Sequence, residues 1–168
     1  MTELRDVMAY LIKHYPDRMS DELSNARLTK MVYLADWRHV LETGKQITNI
    51  DWYFDNYGPY VNDISTTAAS NSNIFAVENT LNMYGQNKKK FALRRADYVP
   101  PISGSERDAL DHIIDVTQKL YWNDFIKLVY STHPIASSER YSHLNLPEKA
   151  REYQTVQKEA AQLSAASL

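Results

Sequence analysis

Cysteine is absent from the 168 residues. That excludes disulfides, thiol nucleophiles and thiolate metal sites, and it fits a reducing, cytoplasmic setting. Glycine is scarce, at 4 residues, too few and too scattered for a phosphate-cradling loop. No apolar run approaches the ~20 residues of a membrane-spanning helix. The opening stretch MTELRDVMAYLIKHYP carries Glu3 and Asp6 where a secretory signal is basic, so it reads as the first helix. Surplus positive charge is missing too: the formal net charge of -2 argues against bulk attraction to nucleic acid. Aromatic side chains are plentiful, with 12 tyrosines and 3 tryptophans. They suit an interface and equally a core whose polar tips reach the surface. A chain of this length fits one domain and can bury roughly 70% of the surface its unfolded form exposes.

The stretch LTKMVYLADWRHVLETGKQITNIDWYFDNYGP, residues 28–59, is the expected centre. Leu28, Met31, Val32 and Ala35 follow helical spacing, with Leu34, Trp37 and Leu41 as a second apolar row. A helix apolar over that much of its circumference is packed on two sides. Ser24 or Asn25 can cap its start, and Gly44 suits a left-handed stop. Leu4, Val7, Met8 and Leu11 define an earlier helix that ends at Tyr15-Pro16. Residues 17–25 read as a connection with room for one helical turn. Residues 47–57 admit a strand or a helix; the recurrence of Ile47, Ile50, Tyr53 or Phe54, and Tyr57 favours a short helix after Thr48-Asn49 and before the Gly58-Pro59 turn. One or two helical turns follow within 61–69. Residues 74–95 switch to strand period around the turn GQN and predict a hairpin, which must pack on the helices to persist. Beyond the linker at Pro100-Pro101, Ser105 and Asp108 resemble a capping box, opening a helix with Leu110, Ile113, Ile114, Thr117 and Leu120 on one face. Asn123 is expected to cap a helix over 124–131, ended by His133-Pro134. Residues 136–146 read as irregular. Pro147 suits the first turn of a last helix, whose Ala150, Tyr153, Val156, Ala160 and Leu163 form a narrow seam for a partner or for its own body. The final SAASL is expected to fray. The expected class is mainly α, with α+β character: a helical domain, one antiparallel β-hairpin near 74–95, and a C-terminal helical extension.

Catalytic signatures are missing. The five histidines form no HExxH, and Ser131, Ser137 and Ser138 lie in no nucleophile elbow. Asp36 and His39 share a helix face and could ligate a metal, but (i, i+3) polar neighbours are routine on helices. His133 fits a helix terminus favoured by the dipole. No catalytic residue, cofactor or metal is therefore expected. Lys88, Lys89, Lys90, Arg94 and Arg95 cluster without an acid among them. The plainest account is a solvated strand edge guarded by lysine; a grip on an acidic protein or on phosphates is the alternative.

Leu28, Lys30, Tyr33, Ala35, Gly44, Tyr57, Gly58 and Pro59, in that order and spacing, resemble the motif of the Panacea (SocA-like antitoxin) domain, with a similar later helix pair ending near His133. The resemblance spans roughly 3–135 and implies a domain over 1–135, with 136–168 as an extension. It implies a mainly helical, non-enzymatic antitoxin that neutralises a cognate toxin by direct contact, that toxin being in some members a translation-targeting enzyme. A SocA-like member instead acts as an adaptor to an ATP-dependent protease. Trp52, Tyr53 and Tyr60 are then the expected aromatic anchors and Lys88, Lys89 and Lys90 the steering charges. The hairpin tip, 84–90, and the segment 137–168 are the expected determinants of partner choice. Two further classes stay open: a nucleic-acid-binding regulator, and a hydrolase or nuclease using Asp36, His39 or His133.

Overall fold

The computed structural model describes residues 1–166. The fold is mainly helical with small antiparallel sheets. Helix α2, Asn25–Thr43, is its centre: every residue from Arg27 to Val40 except Arg38 is buried. Ser24 caps it by accepting from the Arg27 amide, and Gly44 closes it at φ 81°. Only glycine holds that conformation without strain. Around α2 pack α1, Leu4–His14, and three later helices: α3, Asp63–Ser70, α4, Gly104–Thr117, and α7, Leu146–Ala166. A 3-10 helix over Asp17–Glu22 links α1 to α2.

The expected short helix within 47–57 is a correction. The chain there is extended and forms β1, Tyr53–Asp55, which turns into β2, Gly58–Pro59. Ile50, Trp52 and Phe54 are buried while Asp51, Tyr53 and Asp55 point outward, the two-residue period of a strand. The Ile47 and Thr48 amides and the Trp52 indole all donate to the buried Asp36 carboxylate, at 2.9, 3.0 and 2.9 Å, which ties the stretch down along its length. On the other edge of β1 lies β5, Ser142–His143, from the stretch expected to be irregular. The sheet order is β2-β1-β5. Pro59 sits on its edge strand, where a missing N–H costs no ladder bond.

The hairpin lies where the period switch places it. Strand β3, Phe75–Leu81, pairs with β4, Asn87–Leu93, from Phe75↔Leu93 to Leu81↔Asn87. Asn82 organises the turn by accepting from the Tyr84 and Gln86 amides. Only the root, Phe75 and Phe91, reaches the core.

Other boundaries move by a residue or two. The capping box is Ser103 with Glu106, not Ser105 with Asp108, and Leu120 falls beyond the end of α4. Tyr121 precedes helix α5, Trp122–Ser131, so Asn123 lies in its first turn and does not cap it. His133-Pro134 opens the short helix α6, His133–Ala136. On α7, Leu146 and Ala150 are buried and Tyr153 packs edge-on to Trp37 at 6.0 Å, but Val156, Ala160 and Leu163 are exposed. The seam is therefore split between its own body and solvent. Fraying was expected over 164–168; α7 runs to Ala166, and residues 167–168 lie outside the described residues.

Candidate functional site: the turn sheet on the central helix

Helix α2 carries polar side chains into the core, and each demands a partner. Arg27 donates to the Tyr15 hydroxyl and to the Thr117 and Leu120 carbonyls, with its guanidinium carbon 4.3 Å from the centre of the Phe125 ring. His39 bonds the Lys45 carbonyl through Nδ1 at 2.6 Å, which fixes that nitrogen as the donor and leaves Nε2 to accept from Ser105. Asp36 accepts from the Thr48 hydroxyl and the Trp52 indole as well as from the two amides. Asp36 and His39 thus share a helix face and serve separate networks. Burial pushes the Asp36 carboxyl up to about 6, outweighing the donors of Thr48, Trp52 and Ile47, which favour the charged form. Asp36 is the post to which the 46–52 loop is tied, and through Trp52 it positions β1.

Lys30 differs. Only 2% of it is exposed, and among the described residues its ammonium makes no hydrogen bond or ion pair. Burial depresses it to about 8, with Asp55 opposing through space. Gly58 lies directly over it: a Cβ there would sit 3.6 Å from Lys30 Cε and 3.4 Å from the Tyr130 ring. Gly58 has φ 101°, a region costly for any residue with a side chain. The Tyr33 hydroxyl pairs with Thr132 at 2.8 Å, joining α2 to the loop before α6. Lys30, Tyr33, Gly58 and Pro59 thereby converge in one place, with Tyr130 of α5 among them.

The expected anchors are redistributed by this packing. Trp52 is 0% exposed and stacks edge-on to Tyr33, so it supports the turn and offers a partner no surface. Tyr53 is half-buried against His143, and Tyr60 is half-buried, its hydroxyl accepting from Asn25. Tyr57, expected to be structural, is 79% exposed at the tip of the turn. Trp52 is buried and Tyr57 exposed because Trp52 falls on the inward side of the extended stretch and Tyr57 falls in the turn between β1 and β2. Lys88 donates to the Asp21 carbonyl and Lys90 pairs with its carboxylate at 2.6 Å. Lys89 alone of the three is exposed. Sequence reasoning placed 137–168 among the determinants of partner choice without singling out Arg140 and Tyr141, which reach across to the same turn. The one available signal was the change from apolar periodicity to SSERYSHLN, which marks a loop without saying where it lands.

Among the described residues no three His, Cys, Asp or Glu side chains are grouped to hold a metal ion, and no helix is long and apolar enough to cross a membrane. Two open clefts, one beside Leu4 and Asn71 and one between Ile12 and Phe91, lie on other residues.

The molecule is thus a mainly helical α+β scaffold built on a buried central helix, with a small sheet tied to it through Asp36 and Trp52. The family model described as Antitoxin SocA-like, Panacea domain matches residues 28–134, and the chain belongs to that family. No curated protein and no solved structure matches it. Leu28, Lys30, Tyr33, Ala35, Gly44, Tyr57, Gly58 and Pro59 all fall within the matched span.

Proposed function

We propose that the protein is an antitoxin that neutralises a cognate toxin in the cytoplasm by direct protein contact, covering the toxin's active or substrate-docking surface, with no catalysis of its own. The family match over 28–134 carries this reading. The exposed Tyr57 beside a rigid sheet supports it, since rigid aromatic groups make efficient contact surface. Under this reading 1–135 is the neutralising domain and 136–168 an extension that tunes partner choice.

Co-expression with the product of the adjacent reading frame tests it. Growth arrest by that product alone, relieved by this chain, is the expected result. The purified pair should then show inhibition at one-to-one stoichiometry with no protease present. No rescue, or no arrest to rescue, overturns the reading. Inhibition that appears only with an ATP-dependent protease replaces occlusion by delivery. Alanine at Asp36, His39 and His133 that abolishes a measured activity, with folding intact, would establish an enzyme instead.

A further inference from the structure

The stretch Glu139–His143 is held against the turn sheet in an unusual way. Tyr141 adopts φ 67°, the only residue other than glycine with positive φ among the described residues. A β-unbranched but bulky residue there is uncommon and strained. Four contacts hold the stretch. The Tyr141 amide donates to the Phe54 carbonyl at 2.6 Å, and its hydroxyl donates to the Asn56 side chain. Arg140 donates from Nε to the Asn56 carbonyl at 3.1 Å and lies over the Phe54 ring at 5.7 Å. Asn56 therefore receives both neighbours, and the next residue is the exposed Tyr57.

The strain does not serve burial, because Tyr141 remains 63% exposed and Arg140 is exposed as well. What it produces is a fixed display. Arg140 and Tyr141 are both fastened to Asn56, the residue before the exposed Tyr57, and the Nε and face of the Arg140 guanidinium are already engaged. Its Nη nitrogens make no hydrogen bond or ion pair among the described residues. Asp55, the acid in the turn, acts on the buried Lys30. Tyrosine and arginine are the residue types that dominate interface energetics. A guanidinium with its outer edge open matches a carboxylate.

We propose that Tyr57, Arg140 and Tyr141 form a composite docking surface for a protein loop that presents an aspartate or glutamate side chain to Arg140. The proposal rests on the antitoxin reading and gives it a location and a partner chemistry. Neither half of the surface suffices: Tyr57 comes from the matched family segment, and Arg140 and Tyr141 from outside it.

The test measures binding of the purified product of the adjacent reading frame to the full chain. Arg140→Glu should weaken binding by about 100-fold or more, the scale of a central charged contact. Tyr141→Asn should weaken it by about 10-fold; asparagine tolerates positive φ, so the backbone is retained. Arg140→Ala should also flatten the salt dependence, as loss of an ion pair requires. A photo-crosslinking residue at position 57 should capture the partner, and one at position 84 on the hairpin should not. Variants that keep the wild-type melting temperature and bind as the wild type does overturn the surface while leaving the antitoxin reading intact. Wild-type protein that fails to bind overturns both. If the operon's own promoter DNA binds instead, with a salt slope that Arg140→Ala reduces, the partner chemistry is wrong.

Discussion

The β3–β4 hairpin and the β2–β1–β5 sheet are both small and antiparallel, yet one is closed by neighbours in sequence and the other by neighbours in space. The hairpin runs seven residues per strand, takes its register from the Asn82 turn, and projects Met83 and Tyr84 into solvent. The turn sheet has strands of two and three residues, too short to stand alone. It exists because Asp36 and Trp52 hold it from below and residues 141–144 hold it from the side. Local closure makes a long arm that is tied to the body at Phe75, Phe91, Lys88 and Lys90 and leaves its tip, Met83 and Tyr84, in solvent. Nonlocal closure makes a short surface whose side chains are fixed before any partner arrives, which lowers the entropy cost of binding.

The contrast can be broken at its foundation. Asp36→Ala leaves the amides of Ile47 and Thr48 and the Trp52 indole without an acceptor. It should cost about 3 kcal/mol or more by equilibrium denaturation, although loss of a buried charge returns part of that. A cost no larger than that of a hairpin-tip mutation would erase the difference between the two sheets.

Lys30 tests the same support electrostatically. Its native value near 8 lies below the ordinary 10.5. Between those values the unfolded chain holds more protons than the native one, so stability should rise with pH there and stay flat below. Lys30→Met should remove this rise and stabilise the protein at pH 7 by up to about 3 kcal/mol. Melting profiles from pH 7 to 10.5 that run parallel for wild type and variant would show that the ammonium is not desolvated. Gly58→Ala follows with about 2 kcal/mol of destabilisation. The backbone angle causes that loss, because a Cβ 3.4 Å from Tyr130 is tolerable. The smallest effect belongs to the hairpin: Tyr84→Ala, at an 80% exposed tip, should change stability by no more than about 0.5 kcal/mol. A larger loss would mean that the tip is supported after all.

Much of the scaffold was legible because its signals are local. The apolar rows of α2, the Ser24 cap, the Gly44 stop and the period switch at 74–95 each act over a few residues. Residues 47–57 misled because Ile47, Ile50 and Tyr57 fit helical spacing by coincidence. Ile50, Trp52 and Phe54 already carried the strand period. What overruled helix there was the buried Asp36, whose need for donors is invisible until the loop folds onto it. The site was less legible for the same reason. Trp52 and Tyr57 differ little as sequence, and only the place of the turn between β1 and β2 decides which is core and which is surface.

By itself the chain determined its family, its mainly helical class and its central helix. Those depend on side-chain order along a few turns, and hydrophobic periodicity and caps act at that range. Only the tertiary structure decided that the Tyr-Gly-Pro turn lies over the buried Lys30, that Ser142–His143 complete its sheet, and that Arg140 and Tyr141 hold Asn56, the neighbour of Tyr57. The contacts of Arg140 and Tyr141 join positions more than eighty residues apart. Their geometry is fixed by burial and hydrogen-bond satisfaction, which no local stretch of the chain contains.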